Sequence, residues 1–185
     1  MRKLIYSLGV SLDGYVAGPD GEIDWTVPDE ELHRFHNRRT QELGAQLCGR
    51  RLYEVMRYWD TADRNAASTD VELEFARIGK ALPKIVFSTT LEAVEGNARL
   101  AAADVAEEVA RLKAEPSNDI AVGGARLAAR CIELGLVDEY QLFVYPVVVG
   151  GGTPYFPVLE RRIELELVET RTFGSRVQYL RYRRV

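Results

Sequence analysis

Histidine and cysteine are scarce in this chain, two of each among 185 residues, and the scarcity removes several classes of chemistry. Cys48 and Cys131 are far apart and sit in apolar surroundings. No disulfide framework or paired-cysteine redox motif is available, and buried reduced thiols suit an expected cytoplasmic location. His33 and His36 stand three residues apart with Glu30 nearby, but no further histidine and no cysteine cluster completes a coordination shell, so no metal site is expected. A basic excess is also missing: 24 Lys and Arg face 28 Asp and Glu, for a net charge of −4. That balance argues against a general nucleic-acid or anionic-membrane partner. No apolar run reaches the length of a membrane span, and Met1 to Ser7 lacks the apolar stretch and cleavage site of a signal peptide. Walker-type phosphate loops, serine elbows, internal repeats and low-complexity linkers are absent as well.

What is present suits one globular domain spanning 1–185, since 46% of the residues are hydrophobic and 28% charged. Strand and helix signals alternate along the chain. Lys3 to Leu8 reads as a buried strand, followed by a long loop carrying Asp13-Gly14 and Gly18-Pro19-Asp20-Gly21. A helix is predicted from near Pro28 to Gly44, with Thr26 as its cap, Asp29, Glu30 and Glu31 in its first turn, and Leu32, Phe35 and Leu43 as its buried stripe. Gln46 to Gly49 reads as a strand running into Arg50, with a brief helix toward Tyr58. Asp60 to Asp70 reads as an exposed loop, Val71 to Ala81 as a helix, Ile85 to Ser88 as a strand, and Val105, Val109 and Leu112 as the stripe of another helix. Tyr140 to Val149 is a further strand, and Ile163 to Tyr182, turning at Gly174-Ser175, is a C-terminal hairpin.

The most informative stretch is Val122-Gly123-Gly124-Ala125-Arg126-Leu127, where a strand passes through two glycines into a helix. Residues without Cβ let a ligand approach the main chain, and the helix start offers unpaired N–H groups and a positive dipole end to an anion. The plainer alternative is a tight strand-to-helix turn. The third glycine of the dinucleotide fingerprint is missing.

Five segments in register resemble the dihydrofolate reductase-like superfamily, particularly members related to the C-terminal reductase domain of riboflavin biosynthesis. They are Ser11 to Gly18 with Ile23-Asp24-Trp25, Gly49-Arg50-Arg51, Val86-Phe87-Ser88-Thr89, Val122 to Arg126, and Pro146 to Pro154. The resemblance implies an α/β fold with a central, mostly parallel eight-stranded sheet, flanking helices and a C-terminal antiparallel hairpin. It also implies NADPH lying across the strand ends and a homodimer joined through the late strands.

By the same resemblance Gly49, Arg50 and Arg51, with Ser88 and Thr89, form the cofactor-phosphate turn; an arginine fork with nearby hydroxyls suits a 2′-phosphate. Leu52 belongs to this turn but stands where many relatives carry Thr. Gly123, Gly124, Ala125, Arg126 and Leu127 form the pyrophosphate site, and Val16 and Ala17 lie near the nicotinamide ribose on a mobile loop. Gly150 to Gly152 with Thr153 either border the cofactor or simply make a loop, and Trp25 either excludes water from the site or packs in the core. Folate-reducing relatives carry an acid on the first helix, for which Glu31, or Glu30 after a one-residue shift, is the candidate. Asp13 is a second candidate acid. Acids in a first helical turn also complement its dipole, and an Asp also makes turns. Riboflavin-pathway relatives have a glutamate where this chain has Val122, which sets that particular substrate apart. The implied activity is reduction of a C=N or C=C bond in a small heteroaromatic ring of pterin, folate or aminopyrimidine type. The alternative is a module that binds the nucleotide without turnover.

Overall fold

The computed structural model describes residues 1–59 and 68–185. Alternation along the first strand, β1 (Leu4–Ser11), sets the two faces of the sheet. Leu4, Tyr6 and Val10 enter the larger apolar cluster, whereas Ile5, Ser7 and Gly9 line a groove on the opposite side. The same division recurs in β3 (Ala45–Gly49), β6 (Ile120–Gly123) and β7 (Glu139–Tyr145), where Leu47, Ile120, Val122 and Tyr140 fill the cluster while Gln46, Ala121 and Gln141 face the groove.

With β4 (Lys84–Phe87) and β5 (Ala98–Leu100) these strands are parallel. The hairpin of β9 (Leu165–Thr172) and β10 (Gln178–Arg184) adds antiparallel to β7, giving an eight-stranded sheet in the order β5-β4-β3-β6-β1-β7-β10-β9. Two very short strands, β2 (Tyr15–Ala17) and β8 (Thr153–Pro154), pair separately. The strand expected over Tyr140 to Val149 stops at Tyr145, because Pro146 has no N–H to continue the ladder.

Helices cover both faces. Val109 and Leu112 of α4 (Val105–Ala114) and Ala128, Cys131 and Ile132 of α5 (Ala125–Glu133) close the larger cluster. On the other face, Leu32 and Phe35 of α1 (Glu30–Gln41) pack against Phe143, Tyr145, Phe173, Val177 and Tyr179. Phe35 meets three of those rings edge-on, at centroid distances of 5.0 to 6.0 Å. Emptying such a site in a Phe→Ala change costs about 3–5 kcal/mol. Beyond α1, α2 (Arg50–Trp59) starts directly at the end of β3, and α3 (Asp70–Ala81) begins with a capping box of Thr69 and Glu72. The loop expected over Asp60 to Asp70 falls mainly outside the described residues.

α1 is capped by Asp29, which accepts the Leu32 N–H at 2.9 Å; the expected cap, Thr26, instead ends a 3₁₀ turn (Asp24–Thr26), and its carbonyl accepts the Tyr145 hydroxyl at 2.9 Å. The two cysteines are free and buried. No helix among the described residues is long and apolar enough to cross a membrane, and no group of three potential metal ligands occurs among them.

Candidate active site

Strands β4, β3 and β6 are neighbours, and their C-terminal ends bring three separate sequence segments to one edge of the fold. At the end of β6 the two glycines divide the work. A Cβ on Gly123 would stand 2.3 Å from the Leu52 Cδ2, so this glycine exists to let α2 close down on the sheet. Leu52 therefore covers the strand end with hydrocarbon. Gly124 has φ +85°, a conformation that disfavours side chains, and a Cβ there would meet nothing within 4 Å. Of the two glycines, only Gly124 leaves an open approach.

Gly124 is also the N-cap of α5 and offers no side-chain oxygen, so no side chain of its own covers the N–H groups at the helix start, around Ala125, Arg126 and Leu127. Ala128 donates its N–H to the Gly124 carbonyl at 3.0 Å and begins the regular ladder. Bare main-chain donors at a dipole's positive end form an anion site.

A second site lies at the ends of β3 and β4. Arg50 donates through Nη1 to Thr90 Oγ1 at 2.9 Å and through Nε to Glu54 Oε1 at 2.7 Å. It borders a hollow of about 510 Å³ with Ser88, Thr89 and Thr90. The Ser88 hydroxyl accepts the N–H groups of Thr90 and Leu91 at 3.2 and 3.0 Å, which fixes the turn. Arg51 is exposed outside this lining, so the structure brings Arg50, not the pair, to the hydroxyls. Thr90 completes the set and was not singled out in the sequence; its signal was the third hydroxyl in Ser88-Thr89-Thr90. A guanidinium with three hydroxyls, next to an open helix start, suits a ligand with two phosphate groups.

The loop after β1 is fastened to the glycine-rich segment after β7. The Asp13 carboxylate accepts the Ser11 hydroxyl at 2.6 Å and the N–H groups of Gly150 and Val149 at 2.8 and 3.2 Å. These donors, led by Ser11, hold its pKa below the ordinary carboxylate value. Asp13 is thus an acceptor at neutral pH. Val16 and Ala17 lie in β2, where Ala17 pairs with Thr153, and a Cβ on Gly152 would strike the Ala17 carbonyl at 2.1 Å. Gly150 to Gly152 consequently receive the loop as well as turning the chain. Trp25 packs edge-on against Tyr145 at 5.7 Å, joining the core beneath α1.

Along the face of the sheet runs a groove of about 400 Å³, between the strands and the α1–α3 side. His36 lies against Phe143 with ring centroids 4.2 Å apart and planes tilted by 47°, and burial pushes its pKa down to about 4, so its imidazole is neutral at physiological pH. The first-helix acids turn elsewhere. Glu31 accepts from Arg171 Nη2 at 2.8 Å and from the Gly174 N–H at 3.1 Å, tying α1 to the hairpin, and both contacts lower its pKa. Glu30 pairs with Arg34 at the surface, 2.7 Å away. Neither acid lines the groove.

The family model described as RibD C-terminal domain matches residues 2–179. The Bacillus subtilis (strain 168) protein YyaP is 36% identical over 184 residues, covering 98% of this chain and 94% of YyaP. Among solved structures, a putative riboflavin biosynthesis protein from Shewanella sp. PV-4 matches with a TM-score of 0.75 at 20% identity, covering 100% of this chain and 99% of the other. Dihydrofolate reductase from Enterococcus faecalis, complexed with NADP(H), matches with a TM-score of 0.64 at 16% identity, covering 98% and 96%. At these identities the two structures establish a shared fold.

Proposed function

Because this chain belongs to the RibD C-terminal domain family, we propose that it is an NADPH-dependent reductase acting on a C=N or C=C bond of a small pterin- or aminopyrimidine-type ring. The observation that carries this reading is the meeting of an uncapped helix start at the end of β6 with an arginine-and-hydroxyl hollow at the ends of the neighbouring β3 and β4, on a sheet whose α1–α3 face carries a groove. The solved dihydrofolate reductase of the same fold was complexed with NADP(H), which supports the choice of nucleotide.

In this reading Gly124 and the N–H groups of Ala125, Arg126 and Leu127 hold the diphosphate. Arg50 with Ser88, Thr89 and Thr90 holds the 2′-phosphate, Gly49 gives the turn its close approach, and Arg51 adds only long-range charge. The nicotinamide supplies the hydride when bound. Val16 and Ala17 shield its ribose, and the loop they belong to is held in place by Asp13. Gly9, in the lining of the groove, marks the floor where the two rings must meet. Asp13 and Glu31 position the loop and hairpin as carboxylates, and the proton that completes the reduction comes from water in the groove. The open edge of β9, with Leu167 and Val168 exposed, is the surface a homodimer would use.

The test is a panel of pterins, dihydrofolate and aminopyrimidines with NADPH oxidation followed by absorbance. Turnover of at least one ring with NADPH, and markedly slower turnover with NADH, is expected. Tight NADPH binding with no oxidation across the panel would make the protein a nucleotide-binding module instead.

A further inference from the structure

The groove floor carries polar groups that hydride transfer itself does not require. Ser7 of β1 pairs with Gln141 of β7 and lies one step beyond the Tyr6–Val122 pair, beside Gly123. From the other side the Gln46 amide leans over Gly123, with its Nε2 3.3 Å from the place a Cβ would occupy. Gln46 pairs with Ala121 in the row of Ile5, next to the row of Ser7 and Gln141, and its amide reaches with Leu52 over Gly123; all three polar residues line the groove. The Gln46 Oε1 is buried without a hydrogen-bond partner. A buried amide oxygen left unsatisfied is costly, and one amide satisfies both of its ends against a ligand edge that shows N–H beside C=O.

Charge around the same groove is already spent. Lys3 Nζ lies 3.2 Å from Glu139, Arg39 lies 3.3 Å from Glu42, and Arg181 lies 3.3 Å from Glu169. The three cations of the lining therefore each face a carboxylate, Arg181 without a hydrogen bond from its buried Nε, and a phosphate entering the groove would compete with those carboxylates.

Resting on the reductase reading, we propose that the groove selects an uncharged, unphosphorylated nitrogen heterocycle with a lactam-type N–H/C=O edge. Gln46 is the specificity-determining contact and Ser7 supports it. His36 and Phe143 supply an uncharged aromatic wall for the ring.

Calorimetry, run with and without NADPH, tests this with 5,6-diaminouracil, 5-amino-6-ribosylaminouracil and the 5′-phosphate of the latter. The two neutral compounds bind, and the phosphate gives no tightening. Gln46→Leu weakens lactam binding about 10- to 100-fold while NADPH affinity is unchanged. Gln46→Glu, which can only accept, shifts preference from the lactam toward 2,4-diaminopyrimidine, whose edge donates; a merely structural role would not invert selectivity. Should Gln46→Leu fail to fold, Gln46→Glu and Ser7→Ala carry the comparison. Tenfold tighter binding of the phosphate, no binding of either neutral ring, or wild-type lactam affinity in the Gln46 variants overturns the proposal. Selective ring binding without NADPH oxidation upholds it and counts against the reductase reading alone.

Discussion

Arg50→Ala isolates the proposed recognition of a 2′-phosphate. In the structure this guanidinium is shared between Thr90, at 2.9 Å, and Glu54, at 2.7 Å and one helical turn away. The Glu54 pair is half exposed, with side-chain accessibilities of 51% and 46%. Such an (i, i+4) surface pair is worth only about 0.3–0.5 kcal/mol, so turning from Glu54 to a phosphate forfeits little. A hydrogen bond to a charged group contributes about 1.5–3 kcal/mol, which converts to a loss of about 10- to 150-fold in NADPH affinity on truncation. NADH lacks that phosphate, and its affinity should stay within about twofold. Glu54→Gln should move the other way and tighten NADPH about twofold by releasing the arginine and removing a like charge. Fluorescence titration of both coenzymes against wild type and the two variants measures all six affinities. Equal losses for NADPH and NADH in Arg50→Ala, or no loss for either, would refute the assignment of this hollow.

Three other perturbations probe separate parts of the account. Gly124→Val puts a β-branched residue at φ +85°; strain of about 1–2 kcal/mol should appear in urea unfolding, and NADPH binding should vanish beyond what the residual fold explains. Asp13→Asn weakens the grip on Val149 and Gly150, and in the wild type the same grip is pH-dependent. The folded pKa of Asp13 lies below its unfolded value, so the contribution is complete above the ordinary carboxylate range and is lost as pH falls through the lowered value. The Gly150 amide signal should follow that titration in NMR spectra and lose its pH dependence in Asp13→Asn. Glu108, with a fully buried side chain, binds Arg99, Arg111 and the Ala102 N–H, and the first-named arginine does most to hold its pKa down at about 2. Its share of stability should disappear between the ordinary Glu range and pH about 2, and Glu108→Gln should destabilise by about 1–3 kcal/mol in denaturant titrations, because its arginine partners are half exposed.

The elements with strong periodicity were legible in the sequence: α1, α3, α4, the strand into Gly123 and the C-terminal hairpin all occur close to where the pattern puts them. Boundaries failed where tertiary contacts decide them. Thr26 was the natural cap by residue type, but Tyr145 draws its carbonyl into a 3₁₀ turn and leaves Asp29 to cap α1. The three-residue β5 and the β2–β8 pair were missed because so few residues cannot show an alternation; β5 is held by its neighbour β4, and β2 by β8.

The proposed cofactor half of the site has a sequence signal because glycines, arginine and hydroxyls cluster in sequence. Even so, the diglycine concealed a division of labour, since only coordinates show Leu52 lying over Gly123. The proposed substrate half was hidden. Ser7, Gln46 and Gln141 come from three strands and share a groove only in the folded sheet. A signal did exist: Lys3 to Leu8 reads as an apolar run, yet Ser7 and Gly9 fall on one face together, as Glu139 and Gln141 do on β7.

The central claim is that a phosphorylated pyridine coenzyme lies across the ends of β3, β4 and β6. A crystal structure obtained with saturating NADPH tests it most directly. The diphosphate should rest on the N–H groups following Gly124, with the adenosine phosphate between Arg50 and Ser88 and the nicotinamide above Gly9. Density for the coenzyme elsewhere, or an empty cleft at a concentration that saturates the protein in solution, would contradict it.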